Sequence, residues 1–174
     1  DATSGSSCIN KFTVTRTYMA TDACSNTATC SQTITVNDNV VPTLTCPAAT
    51  TVICASNIPA ANTSLVTAAD NCGPVTVSFV GDATSNTTCI NKFTVTRTYM
   101  ATDACSNVTV KTQVLTVQDI TKPSLLNVPK DTIVDCSAIP TPANVTASDN
   151  CDASLTVNYV QNRTNGNCPN NYTL

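Results

Sequence analysis

The stretch CINKFTVTRTYMATDACSN occupies residues 8–26 and returns letter for letter at residues 89–107. A copy of that length, at an offset of 81 residues, marks a tandem array that has to be read through its unit. The likeness runs outward on both sides. DATSGSSC at 1–8 matches DATSNTTC at 82–89, and SQTITVNDNVVP at 31–42 matches TQVLTVQDITKP at 112–123. A third copy follows with more drift. Cys54 corresponds to Cys136, Asp70-Asn71-Cys72 to Asp149-Asn150-Cys151, and Cys89 to Cys168. The expected organisation is the C-terminal part of one repeat at 1–42, a complete repeat at 43–123 and the N-terminal part of a third at 124–174. The chain starts and stops at nearly the same phase, with no initiator Met, signal peptide or membrane-length apolar run. It therefore reads as a stretch of a longer protein, with any export or anchoring signal outside it.

Eleven cysteines accompany no histidine, which argues against zinc sites of the Cys/His kind. Cysteines at repeating positions read as a disulfide framework, and hence as an oxidising, extracellular or cell-surface location. Eight basic against eleven acidic residues leave no electrostatic footprint for nucleic acid.

Thr, Val, Ala, Ser and Asn dominate, a composition that favours strands and turns over helices. Phe12, Val14, Arg16 and Tyr18 alternate with Thr, as do Phe93, Val95, Arg97 and Tyr99. Gln32, Ile34 and Val36 do the same, repeated by Gln113, Leu115 and Val117. Val75, Val77 and Phe79 correspond to Leu155, Val157 and Tyr159. Period two with one apolar face predicts half-buried antiparallel strands. Turn residues punctuate them at 57–59, 70–74, 81–82 and 103–107. Five to seven short strands in a unit of about eighty residues predict an all-β fold: tandem Ig-like antiparallel β-sandwiches, disulfide-stabilised, arranged end to end with linkers at 37–43 and 118–124. A core so thin would lean on its disulfides.

Chain tracing through such a sandwich sends Cys54 and Cys89 to one end of the complete unit and Cys72 and Cys105 to the other. A strand of eight residues spans about 25 Å, whereas a disulfide needs Cα atoms within about 7 Å. The expected bonds are Cys54–Cys89, Cys72–Cys105 and Cys136–Cys168, with Cys8, Cys24 and Cys151 bonded outside the chain. Sequential pairing (8–24, 54–72, 89–105, 136–151) stays open, because an irregular flank can fold back. Cys30 and Cys46 lose their counterparts together, at Lys111 and Asn127, and stay unassigned.

The runs TRTYMATDACSN, QTITV and PTLTCP resemble HYR-like, Ig-like repeats of very large secreted bacterial surface proteins, of the adhesin or extracellular-fibre type. Ser25 and Ser106 stand where the family usually has Gly, and Tyr18 and Tyr99 where it usually has Trp. The resemblance implies stalk modules anchored by a separate domain. It also implies that a cysteine in the Cys-Pro position bonds the last strand of its own unit, where this chain has Lys111; that leaves Cys46 free or bonded to another chain.

The acidic turns are the one candidate chemistry. Asp38, Asn39, Asp70, Asp103 and Asn107 should gather at one end of the complete unit, and calcium, which takes six to eight oxygens, is the one candidate cofactor. The competing reading makes these residues turn formers bonded to their own backbone, and it carries more weight. Arg16 and Arg97 read as stems packed on aromatic rings. Sequons at Asn62, Asn86, Asn107, Asn144, Asn162 and Asn171, and a DTI triplet at Thr132, are candidate glycosylation sites. No His-dependent triad and no Gly-rich phosphate loop exists, so no catalytic residue is assigned and no enzyme expected.

The expected function is a structural repeat module of an extracellular filament or adhesin stalk, whose partners are neighbouring repeats or copies of itself. One alternative is a calcium-dependent module that binds surface glycans or a partner. Another is a spacer in a large secreted enzyme.

Overall fold

Threonine alternating with larger side chains produces long hairpins in both exact copies. In the computed structural model, which describes residues 1–167 and 170–174, the first copy folds as β1 (Ala2–Cys8), β2 (Lys11–Thr21) and β3 (Thr27–Asn37), a three-stranded antiparallel sheet in the order β1-β2-β3. The second copy supplies β4 (Thr43–Thr45), β5 (Thr50–Val52), β6 (Thr67–Ala69), β7 (Val75–Cys89), β8 (Lys92–Asp103) and β9 (Val108–Gln118). Strands β7, β8 and β9 pair as β1, β2 and β3 do, and β5 extends that sheet to the order β5-β9-β8-β7. The β5–β9 pairing is parallel, which corrects the expectation of a purely antiparallel unit. Among the described residues the only helical pieces are single 3-10 turns at Ala55–Asn57 and Thr63–Leu65.

The β2–β3 and β8–β9 hairpins share one register. Tyr18 faces Cys30 and Tyr99 faces Lys111; Val14 faces Ile34 and Val95 faces Leu115. Both turn through Asp-Ala-Cys-Ser-Asn with a serine in the left-handed region, Ser25 at φ 68° and Ser106 at φ 67°. The outer hairpins also agree. Gly5 at φ 67° and Asn86 at φ 53° mark equivalent bulges before the tips at residues 8–11 and 89–92.

A second layer exists in the second copy. β4 pairs with β6, and Leu44 and Val66 pack on Tyr99 and Ala101 of β8, flanked by Cys46, Ala68, Val75 and Val77. Val95, Leu115 and Val117 are buried in the same sheet. In the third copy β10 (Ser124–Leu126) and β11 (Thr146–Ser148) repeat the β4–β6 pairing, and β12 (Thr164–Asn165) pairs with β13 (Tyr172–Thr173). The expected strand at Leu155–Tyr159 does not form. Its counterpart in β7 pairs with the long β8, and the chain up to residue 174 offers no equivalent of β8 for it to pair with.

Candidate functional site

The points of contact between successive copies gather most of the cysteines and acidic turns. Each is built from a hairpin tip. Asn10, in the β1–β2 tip, accepts the Asp38 N–H through its carbonyl at 3.0 Å, and its side chain donates to the Cys72 carbonyl. Asn91, in the β7–β8 tip, accepts the Asp119 N–H at 2.9 Å and donates to the Asp152 carboxylate at 2.8 Å. Asn91 also accepts the Ala55 N–H at 2.9 Å and is almost wholly buried. In both places the tip of one copy is hydrogen-bonded to the Asp-Asn-Cys turn of the next.

The segment between these contacts is tied down as well. Asp38 and Pro42 are buried, Pro42 accepts from the Thr109 hydroxyl at 2.6 Å, and the Asp38 carboxylate accepts the Val40 N–H. Asp119 repeats that turn by accepting the Thr121 N–H.

Two disulfides cross between copies. Cys8 bonds Cys105 and Cys54 bonds Cys151, each with Cα atoms 5.2 Å apart and each spanning 97 residues of chain. This corrects the expected Cys54–Cys89 and Cys72–Cys105 pairs. Among the described residues Cys72 and Cys89 have no disulfide partner, nor have Cys24, Cys30, Cys46 and Cys136, while Cys8 and Cys151, expected to bond outside the chain, bond within it. The expected Cys136–Cys168 bond lies outside the described residues. Asn91 brings the β7–β8 tip to the turn after Cys54, and the charge of Asp103, two residues before Cys105, reaches the Cys72 thiol. What chain tracing lacked was the docking of copies. A hairpin tip laid on the next copy's turn gives each thiol a partner across the contact, and the two bonds form there.

The acidic residues divide into two kinds. Asp103 is a turn former: its carboxylate accepts N–H groups of Cys105 and Asn107 and the Asn107 side chain, at 2.8–2.9 Å. Burial alone would raise its pKa. The Asn107 side-chain amide and the turn's backbone N–H groups outweigh that and hold it below the ordinary aspartate range. Asp22 is lowered likewise, chiefly by Asn26. Asn107 donates to Asp103 and to the Asp38 carbonyl, so its amide nitrogen is committed. Asn39 is exposed.

Asp38 and Asp70 form the second kind. Their carboxylates and the Cys72 sulfur lie within 4.8 Å of one another, and Asp119, Asp149 and Cys151 repeat the cluster at the next contact. Asp70 Oδ1 accepts the Cys72 N–H, and Asp70 Oδ2 is buried without a partner among the described residues. Burial pushes the Cys72 thiol up, and the charges of Asp38 and Asp70 push it further. Two carboxylates and a sulfur fall short of the six to eight oxygens of a calcium cage, and in the second cluster the sulfur belongs to a disulfide.

The remaining candidates sit apart. Asn62, Asn86, Asn144, Asn162, Asn171 and Thr132 are exposed, and Asn62 caps the turn at Thr63 through Ser64. Cys46 is half-buried beside the Leu44 core; burial raises its thiol pKa and the charge of Lys111 opposes this. Arg97 is buried in a paired bridge to Asp82 at 2.8–2.9 Å, also donates to the Pro59 carbonyl and lies over Phe79. Arg16 makes the equivalent bridge to Asp1 at the surface. Sequence reading missed both bridges, although an Arg and an Asp 15 residues apart in both copies was the available signal. No helix among the described residues is long and apolar enough to cross a membrane.

No protein-family model, curated protein or solved structure matches this chain.

Proposed function

We propose that the chain is part of a stalk or filament outside the cell, in which Ig-like β-sandwich units of about eighty residues follow one another end to end. Neighbouring repeats are its partners, and the work of the protein is mechanical: to hold length and resist bending. The observation that carries this reading is that both disulfides join residues of successive copies. A bond inside a unit would stabilise that unit alone, whereas a bond across the contact restricts the hinge between units. The buried, hydrogen-bonded Asp38–Pro42 segment supports the same reading, since linkers that permit domain motion are exposed and make few contacts. Disulfides also favour an oxidising compartment. The resemblance of the repeat motifs to HYR-like repeats supports the same role.

Electron microscopy of the native protein tests this. Thin beaded fibres with a spacing of roughly 35–45 Å are expected, the length of a strand of about a dozen residues. A compact particle would reject the filament and favour the spacer in a larger enzyme.

A further inference from the structure

The two exact copies are equal in sequence and unequal in surroundings, and the difference has a definite shape. Tyr99 and Ala101 of β8 are covered by Leu44 and Val66. Their equivalents Tyr18 and Ala20 in β2 line an open apolar depression with Met19, Ala28 and Thr29. The edge of β9 is paired to β5 at Leu115–Val117, whereas the matching edge of β3 at Ile34–Val36 has no partner among the described residues. The third difference is a thiol. Cys151 of the third copy is bonded to Cys54 of the second, and Cys72, which holds the place of Cys151 in the second copy, is free.

One segment would supply all three missing parts. Residues 43–81 carry the covering strands β4 and β6, the edge strand β5 and, two residues after β5, Cys54. The path is already laid. Asn91 joins Ala55 to Asp152 where Cys54 meets Cys151, and Asn10, its equivalent, is already bonded to the Cys72 carbonyl. We infer that a copy of residues 43–81 precedes Asp1 in the same polypeptide, covers the β2 face, pairs with β3 and bonds its own cysteine to Cys72. The inference rests on the tandem reading above and makes it specific. Each contact between units is then closed by two crossing disulfides, of which Cys8–Cys105 is one and the Cys72 bond the other. By the same rule Cys89 bonds a flanking copy's equivalent of Cys105. Each bond forms as two thiols lose two protons and two electrons to a disulfide-bearing oxidant, which is reduced to its dithiol.

The test is disulfide mapping of the native protein. It is alkylated in denaturant without reduction, digested and analysed by mass spectrometry, beside a non-reducing gel. A sample reduced before alkylation serves as the labelling control. The expected result is complete loss of Cys72 labelling and a Cys72 peptide linked to a cysteine about 99 residues upstream, where the 81-residue offset of the exact copies places the equivalent of Cys54. Alkylated Cys72 would overturn the inference, and so would a bond to Cys105 or Cys54. A Cys72 bond present only in multimers that collapse on reduction would show a second molecule as the donor, and would overturn the single-polypeptide assignment. Fibres seen by microscopy with Cys72 unbonded would leave the filament standing and reject the second bond. A compact particle with Cys72 bonded would do the reverse.

Discussion

Ser106 closes the β8–β9 turn at φ 67°, a region where a side chain is strained and glycine is not. Ser106→Gly should therefore stabilise the protein by roughly 0.5–1 kcal/mol, and Ser106→Val should destabilise it, both read from urea denaturation midpoints. This turn and its equivalent at Asp22 contribute to the response to acid. Asp103 and Asp22 have folded pKa values below their unfolded value near 3.9. Such groups stabilise the fold fully above the unfolded pKa, and the contribution is lost as pH falls through the folded one. The melting temperature should therefore stay level from about pH 7 to pH 5 and fall below about pH 4. Asp103→Asn should flatten that acid limb, and an unchanged limb would show that other groups control it.

At the scale of the element, an identical strand provides its own control. Tyr99 is 1% exposed beneath the β4–β6 layer, and Tyr18 is 52% exposed on a sheet that no such layer covers among the described residues. Tyr99→Ala should cost about 3–5 kcal/mol, as deletion of a buried aromatic does. Tyr18→Ala in the same 174 residues should cost less than about 1 kcal/mol. Thermal denaturation of the two variants side by side checks this, and equal losses would show that the β2 face is covered too. Alternating Thr made both strands legible in the sequence. Burial was not legible, because it belongs to the partner surface and not to the strand.

For the whole molecule, the crossing bonds predict what reduction does. Each closes a loop of 97 residues, for which chain entropy suggests about 4–5 kcal/mol. Replacing Cys8 and Cys105 together by Ser should lower the urea midpoint and widen the distance distribution in small-angle scattering, as the copies gain a hinge. A lower midpoint with unchanged scattering would mean that the hydrogen bonds of Asn10 and Asp38 hold the contact alone. Metal removal is the complementary measurement. Asp103 spends both carboxylate oxygens and Asn107 its amide nitrogen on the turn, and Asp38, Asp70 and Cys72 offer too few oxygens for a calcium cage, so EDTA or added calcium should leave the melting temperature unchanged. A cation bound at a hundred times its dissociation constant would instead add about 2.7 kcal/mol.

Period-two alternation determined the long hairpin strands of the two exact copies, and punctuation by Asp and Asn determined their turns, because both are local backbone preferences; Leu155–Tyr159, with the same alternation, formed no strand. The repeat determined which residues are equivalent, and chain tracing gave the expectation of Cys54–Cys89 and Cys72–Cys105 bonds, which the structure replaces by Cys54–Cys151 and Cys8–Cys105. Only the tertiary structure decided the bonds, since a disulfide forms between whichever thiols packing brings together, and packing joined the tip at Asn10 and the turn at Cys72 across two copies. It also decided that CINKFTVTRTYMATDACSN is core in one place and surface in another. Nineteen identical residues have identical propensities; their burial depends on what covers them, and that information lies in residues 43–81, outside the strand itself.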